Sequence, residues 1–192
     1  AMSETVLQAV VADWAMVHAG AQGAVVSEGD LATFTADVRN AFNVDGASLT
    51  VGILSDSFGC LPNQPENDIA ANELPQATTI LTEIGFTLPN GTCTGTDEGR
   101  AMAQIVHDLA PGAAIIFCSA FNGLAQFANC IKTLTPLCDV IVDDVIYFAE
   151  HMFQDDLVAQ AVDFAFANGV PYFSSAGNQV RQSYEAAFIK SN

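Results

Sequence analysis

The feature that most constrains the fold of this chain is an alternation, from residue 49 onward, of short apolar segments with segments of helical period. Residues 49–55 are apolar on both faces, as a strand inside a parallel sheet must be. The same alternation predicts further strands at 78–84, 113–118, 139–144 and 170–174, and helices at 98–109, 124–134 and 154–168. Alternating strands and helices predict an α/β fold, a doubly wound parallel sheet with right-handed crossovers and helices on both faces.

Two amphipathic helices are predicted ahead of the first strand, over residues 5–18 and 31–42. Asp30 precedes the second helix and is predicted to cap it, because an aspartate side chain accepts from the first free backbone N–H groups of a helix. The apolar side chains that recur at helical spacing are Val6, Val10, Trp14 and Val17 in the first helix and Leu31, Phe34, Val38 and Phe42 in the second.

The charge of the chain excludes two classes of partner. It has 5 Lys+Arg against 22 Asp+Glu, a formal net charge of −17 at pH 7. Binding to nucleic acid or to an anionic membrane surface needs clustered basic residues, so neither is expected. Hydrophobic residues make up 51% of the chain, which predicts a folded domain, and no apolar run reaches the roughly 20 residues of a membrane helix.

The chain has five cysteines and no Cys-x-x-Cys pair, so no zinc-ribbon motif is present. Cys60 and Cys93 bracket an irregular segment rich in Pro, Asn and Gly, where a disulfide would restrict the chain. Spacing alone leaves this pairing and two free thiols equally open. Cys118 lies in an apolar strand and is expected to be a buried thiol.

Candidate site residues follow the predicted strand ends, because ligands of doubly wound sheets bind beyond the carboxyl ends of the strands. Glu98 joins this edge from the start of a helix. The polar or aromatic residues expected there are Ser55, Asp56 and Ser57 after the first strand, Ser119, Phe121 and Asn122 after the third, Asp143, Asp144 and Tyr147 after the fourth, and Ser174, Ser175 and Asn178 after the fifth.

Helical geometry predicts which way Glu98 points. Met102, Ile105 and Leu109 fall on its side of the helix and form the expected sheet-facing stripe, so Glu98 is predicted to turn inward. The alternative is that it stabilises the first helical turn as an acid. Asn178 has two readings as well, a turn residue or an amide donor to a developing oxyanion. His107 lies half a turn out of phase with Glu98 and is expected to stabilise the helix C-terminus.

Several segments carry a family resemblance. Residues 51–58, Val-Gly-Ile-Leu-Ser-Asp-Ser-Phe, resemble the first-strand aspartate motif of subtilisin-like serine peptidases. Residues 174–178, Ser-Ser-Ala-Gly-Asn, resemble their oxyanion-hole loop, and residues 97–113 resemble the helix that carries their histidine and the Ala-Pro turn after it. The resemblance runs from about Ser27 to the end of the chain.

The resemblance implies roles for individual residues. Asp56 corresponds to the triad aspartate and Asn178 to the oxyanion donor, with Asp144, Tyr147, Ser174 and Ser175 as substrate contacts. Glu98 stands where subtilisins have histidine, which is similar to the sedolisins, acid-acting relatives whose base is a glutamate. Sedolisins carry a supporting aspartate one helical turn later, and this chain has Met102 there.

Both families place the serine nucleophile in a Gly-Thr-Ser helix start, which this sequence does not contain. The expectation is therefore the N-terminal part of a peptide-hydrolysing serine peptidase, inactive alone and lacking the C-terminal strands and helices. Residues 1–26 would be a prosegment end or a linker, and 27–192 the partial peptidase domain. The resemblance implies peptide or protein substrates, secretion or a cell-envelope location, and no cofactor, with a structural calcium ion compatible.

Two alternative functions remain open from the sequence. One is a non-catalytic module that binds an extended peptide by strand addition on the same scaffold. The other is a metal-dependent hydrolase with Asp56, Glu98, Asp143 and Asp144 as oxygen ligands. A sheet that ends at its fifth strand also predicts a homodimer through the exposed edge.

Overall fold

The computed structural model describes residues 22–61, 63–83, 93–151, 153–178, 181, 185–187 and 189–190, so the predicted helix over 5–18 lies outside the described residues. In chain order the elements are α1 (Glu28–Ala32), α2 (Thr35–Phe42), β1 (Thr50–Ser55), α3 (Gln64–Ala70), β2 (Thr78–Thr82), α4 (Glu98–Leu109), β3 (Ala114–Ser119), α5 (Leu124–Leu134), β4 (Val140–Asp143), α6 (Leu157–Ala167) and β5 (Tyr172–Ser174). Among the described residues, no helix is long and apolar enough to cross a membrane.

The five strands form one parallel sheet in the order β2-β3-β1-β4-β5, which confirms the predicted α/β class. The central strand β1 pairs with β3 up to Ser55 opposite Ser119, and with β4 up to Leu54 opposite Asp143. The carboxyl ends of these three strands therefore lie at one edge, level with each other. This register brings the residues after β1, β3 and β4 together.

Helices cover both faces of the sheet, as predicted. Consecutive residues of β1 point to opposite faces, so Ile53 packs on the α4 side and Leu54 on the α5 and α6 side. Phe58 and Phe117 lie in the α4-side core, and Phe127 in the other. Each is at most 2% exposed, and burying a side chain of this size contributes about 1.5–3 kcal/mol.

The connection through α4 differs in hand from those through α5 and α6. The β3-to-β4 and β4-to-β5 connections advance in one direction along the sheet, with α5 and α6 on the same face. The β2-to-β3 connection advances in that direction too, yet α4 packs on the opposite face. Connections of this kind between parallel strands are right-handed in about 98% of cases. We therefore assign the right hand to the connections through α5 and α6, and the left hand to the connection through α4. The expectation of right-handed crossovers throughout is wrong at this point.

The face of α4 that packs on the sheet is only partly the predicted one. Met102 packs against the α4-side core as predicted, but Gly99, Ala103 and His107 are the buried residues and Ile105 is 46% exposed. Small side chains let the helix approach the sheet closely, and a Cβ on Gly99 would lie 2.4 Å from Phe117 Cε2. Glu98 is consequently exposed rather than turned inward.

The predicted helix over 31–42 is broken, because Phe34 adopts a left-handed backbone conformation with φ 59°. Asp30 does not cap it. It lies inside α1, where its carboxylate pairs with the Arg39 guanidinium at 2.6 Å. That hydrogen bond holds the pKa of Asp30 below its usual value. The apolar stripe of this region, Leu31, Phe34, Val38 and Phe42, is exposed to solvent.

Two disulfides join four of the five cysteines. Cys60 and Cys93 are bonded, which decides the question that their spacing left open. Cys118 is bonded to Cys130, so the expectation of a buried thiol at Cys118 is wrong. The two residues meet because α5 packs its buried side on the β3 face that carries Cys118. Cys138 is a buried free thiol, and burial together with the Asp139 charge raises its pKa to about 11.

Candidate functional site

A cleft of about 250 Å³ opens at the carboxyl edge of the sheet, above the ends of β1, β3 and β4. Three carboxylates from different parts of the chain share it, namely Asp56, Glu98 and Asp144. The rest of its lining is provided by Ala120, Phe121, Val145, Ile146 and Tyr147. The strand register and the start of α4 thus bring together acids that are 42 and 46 residues apart in sequence, counted from 56 to 98 and from 98 to 144.

Of the three carboxylates in the cleft, that of Asp56 accepts the most hydrogen bonds. Its carboxylate accepts hydrogen bonds from the backbone N–H groups of Ser57, Thr96 and Glu98, at 2.5, 2.5 and 2.9 Å, and from Thr96 Oγ1 at 2.7 Å. Burial raises its pKa, but the hydrogen bonds from Thr96 and Ser57 outweigh burial and lower it below the usual value. Asp56 is therefore ionised at neutral pH and ties residues 96–98 to the end of β1.

Glu98 is the first residue of α4, and two acids fix its backbone. Its N–H donates to Asp56, while the preceding residue, Asp97, is 3% exposed and has a left-handed φ of 57°. The Asp97 carboxylate accepts from the backbone N–H groups of Cys60 and Leu61 and pairs with Arg100 at 3.2 Å. The Glu98 carboxylate is left exposed at the cleft, where it can meet a ligand.

Asp144 carries the most perturbed carboxyl of the cleft. Burial, with smaller contributions from the charges of Glu98 and Asp143, raises its pKa to about 6, against the opposing hydrogen bond from Ser55 Oγ at 3.0 Å. A carboxyl with this pKa changes charge in mildly acidic solution. The charge of Glu98 reaches Asp144 within the cleft and adds to the rise of the Asp144 pKa.

The hydroxyl groups around the cleft already have partners. Ser119 Oγ donates to the Asp56 carbonyl at 2.6 Å, and Tyr147 OH donates to the Ala120 carbonyl at 2.5 Å. Ser55 and Ser119 are fully buried. Neither serine is available to attack a substrate, and the Tyr147 ring serves as a wall of the cleft.

The residues predicted after β5 lie one strand further away. Ser174 Oγ donates to the Asp143 carboxylate at 2.9 Å, and the Ser175 N–H donates to the Asp143 carbonyl at 3.0 Å. Asn178 is exposed in the turn that follows. Of the described residues that line the cleft, none comes from this segment. The cleft thus joins Asp56, Glu98, Asp144 and Tyr147, whereas Ser174 and Ser175 contact Asp143 at the neighbouring strand.

Comparison with protein families, with curated proteins and with solved structures finds no match to this chain. Across the described ranges, no group of three or more His, Cys, Asp and Glu side chains is arranged to hold a metal ion.

Sequence reasoning missed one residue that shapes this cleft. Thr96 supplies two of the four hydrogen bonds to Asp56. Ser55, which the sequence did place at this edge, supplies the hydroxyl bound to Asp144. A polar residue just before a helix was a usable signal for Thr96, because such positions often bind a nearby carboxylate or backbone group. Ser55 ends an apolar strand, and its contact depends on the pairing of β1 with β4.

Proposed function

We propose that this chain is the base-bearing, N-terminal portion of a subtilisin-like serine peptidase that uses a sedolisin-like glutamate and hydrolyses peptide bonds by acyl transfer. The observation that carries the proposal is the shared cleft of Glu98 and Asp144, in which burial and the Glu98 charge raise the Asp144 pKa to about 6. An exposed glutamate beside a protonatable acid is a suitable general base in mildly acidic solution.

In this mechanism Glu98 accepts the proton of a serine hydroxyl as that hydroxyl attacks the scissile carbonyl. The serine comes from a segment that these 192 residues do not contain. Asp144 takes the supporting role that the resemblance places at Met102, because it approaches Glu98 from the end of β4 rather than from the helix. Asp56 acts as a positioning residue, since its hydrogen bonds hold the backbone at Glu98.

Asn178 is proposed as the oxyanion donor. Asn178 is exposed after β5, which is the neighbour of β4 in the sheet, and Asp144 follows β4. A substrate lying across the end of β4 would therefore reach both residues. A side-chain amide in this role is worth about 2.7–4 kcal/mol in the transition state. Ser174 and Ser175, next to it, are proposed to border the same substrate.

The two disulfides support the proposed secretion or cell-envelope location. Cys60–Cys93 and Cys118–Cys130 are both formed, and structural disulfides persist in oxidising compartments. A peptidase released into an acidic exterior would work in the pH range where the Asp144 carboxyl changes charge.

The deciding experiment uses the product of the whole reading frame that contains this chain, assayed for peptide hydrolysis between pH 3 and 7. Glu98→Gln should lower kcat/KM by about 10²–10⁴-fold, because an amide cannot accept the serine proton. Glu66→Gln is the matched control, since Glu66 is also an exposed glutamate in the first turn of a helix and is outside the cleft. Hydrolysis that survives Glu98→Gln unchanged would refute the assignment.

The peptide-binding alternative rests on the sheet edges. Among the described strands, β2 and β5 each pair on one side only, and such an edge accepts a further strand from a peptide or from a second copy of the chain. Peptide binding with no turnover by the whole gene product would favour this module over the peptidase.

A further inference from the structure

A second cavity, of about 400 Å³, adjoins the catalytic cleft. The two share Val145, Ile146 and Tyr147, so a ligand in the cleft can extend a side chain past this wall. Its volume falls within the roughly 300–1,000 Å³ of small-molecule sites. The other described residues that line it are Phe127, Asp143, Glu150, Val158, Val162, Tyr172 and Ser174.

Most of the wall is apolar and aromatic. Val158 and Val162 contribute aliphatic surface from α6, and the rings of Phe127 and Tyr147 pack with their centroids 5.2 Å apart. Such a wall accepts an alkyl stem, and the faces of aromatic rings attract cations.

Two acids provide the charged part of the cavity, beside the hydroxyl groups of Tyr172 and Ser174. Asp143 is 5% exposed and is held by Ser174 Oγ and the Val145 N–H. Glu150 Oε1 accepts from the N–H groups of Val158 and Ala159 at the start of α6, at 3.2 and 3.3 Å. Glu150 Oε2 is shielded from solvent and has no hydrogen-bond partner among the described residues. A carboxylate oxygen in that position is stabilised by a donor that a ligand brings.

No described lysine or arginine side chain donates a hydrogen bond to Glu150 Oε2. None of the described residues that line the cavity is basic. Arg39 pairs with Asp30, and Arg100 pairs with Asp68 and Asp97, on other parts of the fold. The net charge of −17 also attracts cations from solution.

We propose that this cavity binds an ammonium or guanidinium group carried on an alkyl stem, with the stem against Val158 and Val162 and the cation at Glu150 and Asp143. The two sources of this group are the lysine or arginine side chain of a bound peptide and a free alkyl cation. Binding of a peptide side chain rests on the proposed function. Binding of a cation in the cavity does not rest on it, because such binding requires no catalysis.

The first test is calorimetric titration of the full chain with n-butylguanidinium, against the neutral isostere n-butylurea. We expect the cation to bind at least tenfold more tightly, and Glu150→Gln to weaken it at least tenfold while the neutral ligand is unaffected. This variant keeps a carbonyl oxygen for Val158 and Ala159. Asp163→Asn, an exposed change on α6, is the control. Equal binding of the cation and the urea by the unaltered protein would overturn the proposal without any variant.

A second arm distinguishes the sources. An arginine peptide that binds more tightly than both its citrulline counterpart and free butylguanidinium assigns the cavity to peptide side chains. Tighter binding of the free cation supports the cavity and assigns it to small amines and guanidines. Cation binding by a gene product that hydrolyses no peptide would refute the peptidase alone.

Discussion

Four donors converge on the Asp56 carboxylate, and they explain at the scale of single residues why Glu98 lies where it does. Three of them are backbone N–H groups, at residues 57, 96 and 98, so a single side chain fixes the start of α4 to the end of β1. The sequence resemblance implies a triad role for Asp56. In the structure the Asp56 carboxylate already accepts four hydrogen bonds from within the protein. It is therefore better suited to hold the backbone at Glu98 than to transfer a proton.

Asp144 should make the stability of the protein depend on pH. Its folded-state pKa is about 6, above the usual aspartate value of 3.8, so the folded state binds the proton more tightly than the unfolded chain. The resulting stabilisation is fully present below about pH 4 and is lost as the pH rises through 6. Asp144→Asn should flatten this dependence, because the amide does not ionise.

The measurement is urea denaturation at pH 4, 5, 6 and 7, with Asp163→Asn as the control on an exposed aspartate. The difference in unfolding free energy between the Asp144→Asn variant and the unaltered protein should grow in favour of the variant as the pH rises. A constant difference across this range would contradict the raised pKa.

At the scale of elements, the close contact of α4 with the sheet decides how the cleft is built. Gly99 and Ala103 face the sheet, and the larger Ile105 faces solvent. Met102 and Val106 pack against the same core, so the buried face of this helix combines small with large side chains. The helix therefore approaches β3 closely, and Glu98, one residue before Gly99, is held at the rim.

Gly99→Ala should be destabilising. The new Cβ would lie 2.4 Å from Phe117 Cε2 and 2.9 Å from the Ser57 carbonyl oxygen, and the backbone contact cannot be relieved by a rotamer change. We expect a loss of about 1–3 kcal/mol, measured by urea denaturation. If the whole gene product hydrolyses peptides as proposed, the same change in it should also lower that activity, because the displaced helix carries Glu98 with it.

Gly29→Ala is a close control, because Gly29 is also the second residue of a helix that begins with glutamate. Its new Cβ would meet Ser27 Oγ at 3.2 Å and nothing else closer than 3.9 Å. This change should be near neutral. An equal loss in both variants would mean that the contact of α4 with Phe117 is not what constrains Gly99.

At the scale of the whole molecule, two covalent links and one opposite-handed crossover hold the parts together. Cys60–Cys93 ties the segment after β1 to the segment before α4, next to the cleft. Cys118–Cys130 joins β3 to α5 inside the core. Disulfides of this kind typically contribute about 2–4 kcal/mol.

The disulfides predict a thiol titration with three distinct results. The native protein at pH 8 should react slowly or not at all, because Cys138 is 7% exposed and its pKa is about 11. Denatured without reductant, the chain should show one thiol, and after reduction five. Three thiols in the denatured, unreduced chain would mean that one of the two disulfides is open.

The sequence predicted the parts of the fold that depend on local periodicity. The observed bounds are close to the predicted ones for the strands β1, β3, β4 and β5 and for the helices at 98–109 and 124–134. Strand and helix periods can be recognised from neighbouring residues alone. The sequence also placed Asp56, Glu98 and Asp144 at one edge, since the ends of parallel strands must meet there.

The tertiary structure alone decided the features that depend on residues far apart in the chain. The hand of the α4 connection, the inward face of that helix and the Cys118–Cys130 bond all follow from how helices dock on a finished sheet. The placement of Glu98 and Asp144 in one cleft has the same origin. Local sequence determines which helices and strands form. Packing determines which face of each one is buried, because close contact requires small side chains and complementary shapes, and these depend on residues far apart in the chain.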